Sequence, residues 1–230
     1  GYTTVPIDGF NAYTEETNSA NLQADSAVWE IQDKAGVTVD LHLSGAMTNA
    51  VVAGDLLPTD PPYELTKGDM FTLMKYENSL LVLSMNGPEI KRVLERSYRN
   101  WWWYNQGDPW GGYSHYTTCM LATDAGNEIT YIGDLATEPN GNNVASLKID
   151  GNPVIFTDET TFYNVSTANY VAAGSCNFND DGVTIWPLDI DRIVADTQLY
   201  VRDSVINYVE AQGGIPITPA IEGRLVFPTP

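Results

Sequence analysis

Residues 65 to 98, LTKGDMFTLMKYENSLLVLSMNGPEIKRVLERSY, restrict the fold more than any other part of the chain. Ser79 to Met85 is a run of Leu, Val and Met of strand length, bounded by Asn78 and by Asn86-Gly87, the pattern of a strand buried on both faces. Pro88 suits a first helical turn, where its missing N–H costs nothing. Ile90, Val93, Leu94 and Ser97 then recur at spacings of three and four. One stripe therefore packs on the strand while Lys91, Arg92, Glu95 and Arg96 face water. The unit is strand, tight turn, helix.

Elsewhere helix and strand alternate, with long loops. A helix is expected from about Ser19 to Lys34 and a strand from Val37 to Leu43, followed by a loop carrying Pro58, Pro61 and Pro62. Residues 99 to 116 form an aromatic and glycine-rich excursion. Candidate strands lie at Thr117 to Ala122, Ile129 to Ile132, Val144 to Ile149 and Val154 to Phe156, with Asp150-Gly151-Asn152 as a hairpin turn. Phe162 to Val171 reads as a further strand. Thr197 to Ala211 reads as a helix whose Leu199, Val205, Ile206 and Val209 face the core before Gly213-Gly214 ends it. The fold class expected is α+β, with mixed β-sheets flanked by helices in a single domain over residues 1–230, and 43% hydrophobic residues can fill its core.

Thirty acidic residues against eleven basic leave a net charge of −19, a field that repels polyanions. Nucleic acid and anionic membrane surfaces are poor partners for such a chain. No apolar run approaches the roughly 18 residues needed to span a bilayer. The opening GYTTVPIDGF lacks the basic and apolar regions of a signal peptide, and residues 226–230 read as the start of a linker, so both ends suggest a larger parent.

Cys119 and Cys176 are the only cysteines and His42 and His115 the only histidines. None stands at HExxH, CxxC or HxH spacing, so no metal site is expected in this chain. Gly-x-Ser-x-Gly, a P-loop and Ser-x-x-Lys are absent, which leaves no covalent nucleophile with a plausible base. Asp180, Asp181, Asp189, Asp191 and Asp196 lack EF-hand spacing and read as a solvated acidic surface.

Four stretches carry a resemblance: Asn18 to Ala27 (NSANLQADSA), Val37 to Ala50 (VTVDLHLSGAMTNA), the turn Lys75-Tyr76-Glu77-Asn78 and Pro219 to Leu225 with its Glu222-Gly223-Arg224. In this order the chain resembles the C-terminal domain of 5'-nucleotidases and related exported nucleotide hydrolases. That family has an opening helix with a Gly-Asn-Leu tripeptide and an Asp-Ala pair, then an Asn-Ala-Gly-Gly-Ile-Arg strand and loop. A threonine-led strand ending in a Pro-Phe-Gly-Asn-like turn follows, and a Glu-Gly-Arg strand closes the domain. The resemblance implies recognition rather than catalysis. Divalent metals belong to a separate N-terminal metallophosphoesterase domain, which is missing here and is the expected partner; this chain alone is expected to be inactive and to hold no cofactor. The implied location is secreted, cell-surface or periplasmic.

By the same resemblance a nucleoside or nucleotide base is sandwiched between two rings. Tyr76 stands at the first aromatic position, where a stacked base gains roughly 1–3 kcal/mol. The family's Gly-Gly-Asp-Gly-Phe loop corresponds to the longer Gly174 to Val183. Read from Gly174, Phe178 supplies the ring, the preferred assignment; read from Asp181-Gly182, Val183 takes its place. Asn49, Asn78 and Asp181 are the implied polar groups orienting the ligand. The plainer alternatives are a surface tyrosine capping a turn and a phenylalanine plugging the base of its loop. Glu15 and Asn49 replace two arginines of the family, a loss of several kcal/mol for a phosphate at roughly 1.5–3 kcal/mol per charge-assisted bond, which points to a less anionic ligand. The family also brings the segments of Cys119 and Cys176 near one another. A disulfide is one alternative and two buried thiols the other.

Residues 98–116, YRNWWWYNQGDPWGGYSHY, hold four of the six tryptophans. A stacking floor, a partner interface and a small core beneath a loop all fit that density. The rival to nucleoside recognition is a noncatalytic module binding carbohydrate or a protein partner through this aromatic loop; Glu15 and Asn49 favour it, and Tyr76 favours the first reading.

Overall fold

A computed structural model describes residues 1–45, 50–106 and 119–228. The strands are β1 (Tyr2–Thr3), β2 (Ile7–Asp8), β3 (Leu41–His42), β4 (Ser44–Gly45), β5 (Val51–Val52), β6 (Tyr63–Glu64), β7 (Ser79–Asn86) and β8 (Leu121–Ala122). They continue as β9 (Glu128–Tyr131), β10 (Val144–Ile149), β11 (Asn152–Pro153), β12 (Phe162–Ala168), β13 (Asn179–Asp180), β14 (Val183–Thr184), β15 (Ile193–Tyr200) and β16 (Leu225–Val226). The helices are α1 (Asn18–Glu30), α2 (Lys67–Leu73), α3 (Gly87–Asn105), α4 (Asn169–Ala172) and α5 (Val201–Ala211). This is the mixed α+β architecture expected.

Two four-stranded sheets carry the core. The first has the order β15-β7-β12-β3, with β7 antiparallel to both neighbours and β3 parallel to β12; the second has the order β11-β10-β9-β16. Leu80, Val82, Leu83 and Met85 of β7 are fully buried, each contributing roughly 1.5–3 kcal/mol. Helix α3 packs against both β7 and β10, so it joins the two sheets.

The β7–α3 junction follows from three residues. Asn86 accepts from the Glu89 N–H while the Glu89 carboxylate accepts from the Asn86 N–H, a reciprocal cap with Pro88 in the first turn. Gly87 lies so close to β11's outgoing chain that a Cβ would stand 2.1 Å from the Ile155 carbonyl oxygen. Past the cap, Ile90, Val93, Leu94, Ser97, Tyr98 and Trp101 form the buried stripe. Glu95, on the opposite side, accepts from the N–H groups of Asn143 and Val144 and so starts β10.

Several boundaries differ from those expected. The helix does not stop near Tyr98 but runs to Asn105, because Trp101 continues its apolar stripe, stacking on Phe227 at 4.7 Å. Residues 99 to 105 are therefore helical rather than part of an aromatic loop, and residues 107–118 lie outside those described. Thr66 and Asp69 form a second reciprocal cap, which makes residues 67–73 a helix where the resemblance implies a strand. Phe162 to Ala168 is strand, but Asn169 turns the chain into α4. Residues 197 to 200 belong to β15, which pairs with β7, instead of opening a helix, helped by Thr197 Oγ1 donating to the Leu80 carbonyl at 2.7 Å, and α5 begins only at Val201. The Asp150-Gly151 turn is present with positive φ at both residues, and the strand after it is Asn152–Pro153 rather than Val154 to Phe156. Of the strand expected over residues 37–43, only Leu41–His42 pairs in the central sheet; the helix expected before it is present as α1 followed by a π-turn over Ile31–Ala35.

The two ends of the chain close on α1. Arg224, almost fully buried, forks onto Asp25 at 2.7 and 2.8 Å, donates to the Thr123 carbonyl at 3.0 Å and pairs with Glu222. Asn21 donates to the Ala220 carbonyl at 2.9 Å. The Asn-Leu, Asp and Glu-Gly-Arg motifs, at opposite ends of the sequence, thus form one cluster. Replacing Arg224 by Ala removes the cation forked onto Asp25, whose carboxylate keeps the Ala125 N–H at 2.8 Å, and takes the guanidinium donor from the Thr123 carbonyl. A loss of about 3 kcal/mol in unfolding free energy is expected in urea titrations.

His42 is fully buried between Ser166 Oγ at 2.8 Å and Ser44 Oγ at 2.6 Å, and its backbone N–H donates to Asp124 at 2.7 Å. Burial lowers the imidazole pKa to about 3 and raises that of the Asp124 carboxyl to about 6. Between pH 6.5 and 3 the unfolded chain binds a proton at His42 that the folded chain refuses, so this contribution falls with pH. Asp124 acts in the opposite sense between about 6 and 3.8. Stability is therefore expected to change little from these two groups between about pH 6 and 4 and to fall below that. In His42→Gln the loss disappears: the stability difference between wild type and variant should shrink as pH falls from about 7 to 4, by roughly 1 kcal/mol per pH unit below 6.5, measured by denaturant titration at fixed pH.

Candidate ligand-recognition site

Sheet register brings the segments singled out from sequence to one end of the central sheet. Ser79, at the start of β7, faces Tyr200 at the end of β15, and Leu80 faces Ala168 at the end of β12. Because β3 runs parallel to β12, it too ends there. The turn 75–78, the loop 169–184 and residues 43–45 after β3 all leave from this edge. Asn169 Oδ1 accepts from the Ser79 N–H at 3.1 Å and ties the first two together.

The turn that carries Tyr76 is held from α5. Arg202, almost fully buried, donates to Glu77 at 2.6 Å and to the Met74 carbonyl at 3.4 Å, with its guanidinium 3.8 Å from the centre of the Phe71 ring. The Val201 N–H donates to the Asn78 carbonyl at 2.9 Å. Between these anchors Tyr76 is 56% exposed, and Lys75 Nζ lies 5.8 Å from its ring centre. The result is a fixed, outward-facing aromatic ring with a cation beside it.

The loop after α4 is fastened in four ways, two of them to α3. Cys119 and Cys176 form a disulfide, so of the two alternatives for these cysteines the paired one holds. Asn100, buried on α3, donates to the carbonyls of both cysteines at 2.9 and 3.0 Å and accepts from Asn177 at 2.9 Å. Arg96 donates to the carbonyls of Asn177 and Asn179 and pairs with Asp180, which Arg92 also reaches at 2.6 Å. Arg92 and then Arg96 hold the Asp180 carboxyl below the usual carboxylate range. Finally Phe178 is fully buried, 6.1 Å from Trp186. Beyond it, β13 and β14 make a short hairpin whose turn, Asp181-Gly182, has φ of 51° and 83°, the conformation in which a two-residue turn follows the strand twist.

The five residues expected to touch a ligand fare differently. Tyr76 is exposed and Asn78 half-buried in one anchored turn. Asp181 is exposed at the hairpin tip next to Val183, which is 70% exposed. Phe178 offers no open face: its ring is fully buried at the base of the loop, while Val183 on the hairpin is exposed. Asn49 lies outside the described residues. One exposed ring escaped the sequence reading: Tyr170, 53% exposed, follows the Asn169 that binds the β7 start. An aromatic two residues past the end of a strand was the available signal, hidden because the strand was expected to run on to Val171. Glu15 is exposed. Trp102, half-buried, donates from Nε1 to the Leu135 carbonyl at 3.0 Å, and Trp101 stacks on Phe227. Trp110, Tyr113 and Tyr116 fall outside the described residues.

Among the described residues no group of three or more His, Cys, Asp or Glu is placed to hold a metal ion. No described helix is long and apolar enough to cross a membrane.

A family model described as "5'-nucleotidase, C-terminal domain" matches residues 1–180. The trifunctional nucleotide phosphoesterase protein YfkN of Bacillus subtilis (strain 168) is 28% identical over 231 residues, covering 98% of this chain and 13% of its own length. The 5'-nucleotidase precursor of Thermus thermophilus superposes with a TM-score of 0.74 at 20% identity, over 99% of this chain and 39% of that one. The NAD nucleotidase of Haemophilus influenzae follows with a TM-score of 0.66 at 18% identity, over 96% and 36%. The chain spans about an eighth of the curated relative and under two fifths of the two structures.

The disulfide closes 57 residues of sequence separation. Cys176→Ser is expected to cost about 2–4 kcal/mol in unfolding free energy. It should also speed amide exchange selectively over residues 177–184, read by hydrogen–deuterium exchange.

Proposed function

Because the chain belongs to the 5'-nucleotidase C-terminal domain family, we propose that it recognises a nucleoside or nucleotide and presents the ligand's phosphoryl end to a divalent metal centre on another domain. The observation that carries this reading is Tyr76, an exposed ring held by Arg202 and Val201 at the sheet edge from which the disulfide-fastened loop also leaves. An aromatic face fixed in advance binds a base without the entropy cost of ordering it.

In this reading Tyr76 stacks on the base while Asn78, Asp181 and Asn49 orient the nucleoside by hydrogen bonds. Phe178 is a positioning residue: its buried ring sets the height of the hairpin that carries Asp181. A stack on Phe178 itself would require the hairpin to lift from α3. Glu15 and Asn49 supply no cation, so the nucleoside portion provides most of the affinity and the phosphate's charge is left to the metal centre. An exported location agrees with the disulfide, which persists in oxidising compartments.

Calorimetric titration with adenosine, a nucleoside monophosphate and a panel of small sugars tests this. Saturable nucleoside binding is expected, weakened about tenfold by Tyr76→Ala, in line with roughly 1–3 kcal/mol per stacked base. Binding only to sugars, or nucleoside binding indifferent to Tyr76→Ala, overturns the reading in favour of a noncatalytic module.

A further inference from the structure

The outward face of α3 gathers Lys91, Arg92, Arg96 and Arg99, four of the chain's eleven Lys and Arg residues within nine positions. With Glu95 and the turn around Pro139 and Gly141 they line a groove of about 340 Å³. On a chain of net charge −19 this is a local reversal of sign. Two carboxylates oppose the four cations. Glu95 is spent on the Asn143 and Val144 amides, and Asp180 accepts from Arg92 and Arg96.

The cations differ in how fully they are committed. Arg96 is held by two carbonyls and Asp180. Lys91 meets only the neutral Asn142 Oδ1, at 3.3 Å, and Arg99 lies over the Trp103 ring at 5.7 Å with one bond of 3.4 Å to the Pro139 carbonyl. Arg92 has a side chain 58% exposed and makes its ion pair with Asp180 alone. Three cationic groups therefore keep donors for something placed in the groove, and two of them are planar guanidiniums suited to forked bonds with oxyanions.

We propose that this groove binds a small, multiply charged oxyanion of the phosphate class, and that its occupant competes with Asp180 for Arg92. Occupation weakens one of the fastenings between the 179–184 hairpin and α3 while the disulfide, Asn100 and Arg96 keep the loop in place. The anion is free in solution or carried on a larger molecule; the groove reads the charge, not the carrier.

The test is calorimetric titration of the chain with inorganic pyrophosphate and, separately, with a nucleoside diphosphate, at constant ionic strength. Saturable pyrophosphate binding is expected. It should weaken at least tenfold in Lys91→Gln/Arg92→Gln/Arg99→Gln and about threefold in Arg99→Gln alone, and tighten about threefold in Asp180→Asn, where the competing carboxylate is gone. Equal affinities for the two titrants assign a free anion; a tighter diphosphate whose advantage is lost with the three cations assigns a carried one. Tyr76→Ala is expected to leave pyrophosphate binding unchanged, which separates this site from the proposed nucleoside site. Lys91, Arg92 and Arg99 lie on the outward face of α3 and Asp180 on the exposed hairpin, and a cooperative thermal transition confirms that the variants fold. Absence of saturable binding, or affinity unaltered in the triple variant, overturns the site; unaltered or weaker binding in Asp180→Asn overturns the competition.

Discussion

Burial of β7 on both faces and between two antiparallel neighbours is the constraint from which the rest of the molecule follows. A strand of Leu, Val and Met has no polar face, so helices must cover it, and once it is buried its backbone N–H and C=O groups must be paired along both edges, by β12 and β15. Its two ends then acquire different jobs. At Asn86-Gly87 the chain turns into α3, which spans both sheets; at Ser79 the opposite end presents the 75–78 turn beside the ends of β12, β15 and β3. The place where a ligand would be met is thus a consequence of core packing.

Helix α3 performs two tasks with two faces. Its apolar stripe from Ile90 to Trp101 fuses the sheets, while its polar side, through Arg92, Arg96 and Asn100, holds a loop of left-handed residues that has little core of its own. Cys176, Asn177 and Asp181 all have positive φ, a conformation costly for residues with a Cβ. The disulfide, the Asn100 bonds and the Phe178 plug supply the compensation. Such over-determined loops are the places where side chains can be set for binding.

Much of the family pattern was legible because it is local. The β7–α3 unit, the Asp150-Gly151 turn and the helix at Asn18 each rest on spacing, caps and turn residues within a few positions. Two of the misread stretches share one cause. Residues 197 to 200 and 99 to 105 are decided by distant partners: β7 recruits the first into an edge strand, and Phe227 with Tyr131 draws Trp101 inward to prolong the second. At Phe178 two registers were open in sequence, and the extra residues of the loop place the ring in the core and Val183 at the tip.

By itself the sequence determined the periodicities, the reciprocal caps and the excess of carboxylates, since these depend on neighbours a turn or a pleat away. It also carried the Asn-Leu, Asp and Glu-Gly-Arg motifs without saying that they meet. Tertiary structure alone decided that Arg224 forks onto Asp25, that Cys119 joins Cys176, that Arg202 steadies the turn of Tyr76, and that a cationic groove opens on a strongly acidic chain. Each of these joins residues far apart along the chain, and their approach is set by how two sheets and a shared helix pack, a property of the whole that no window of sequence contains.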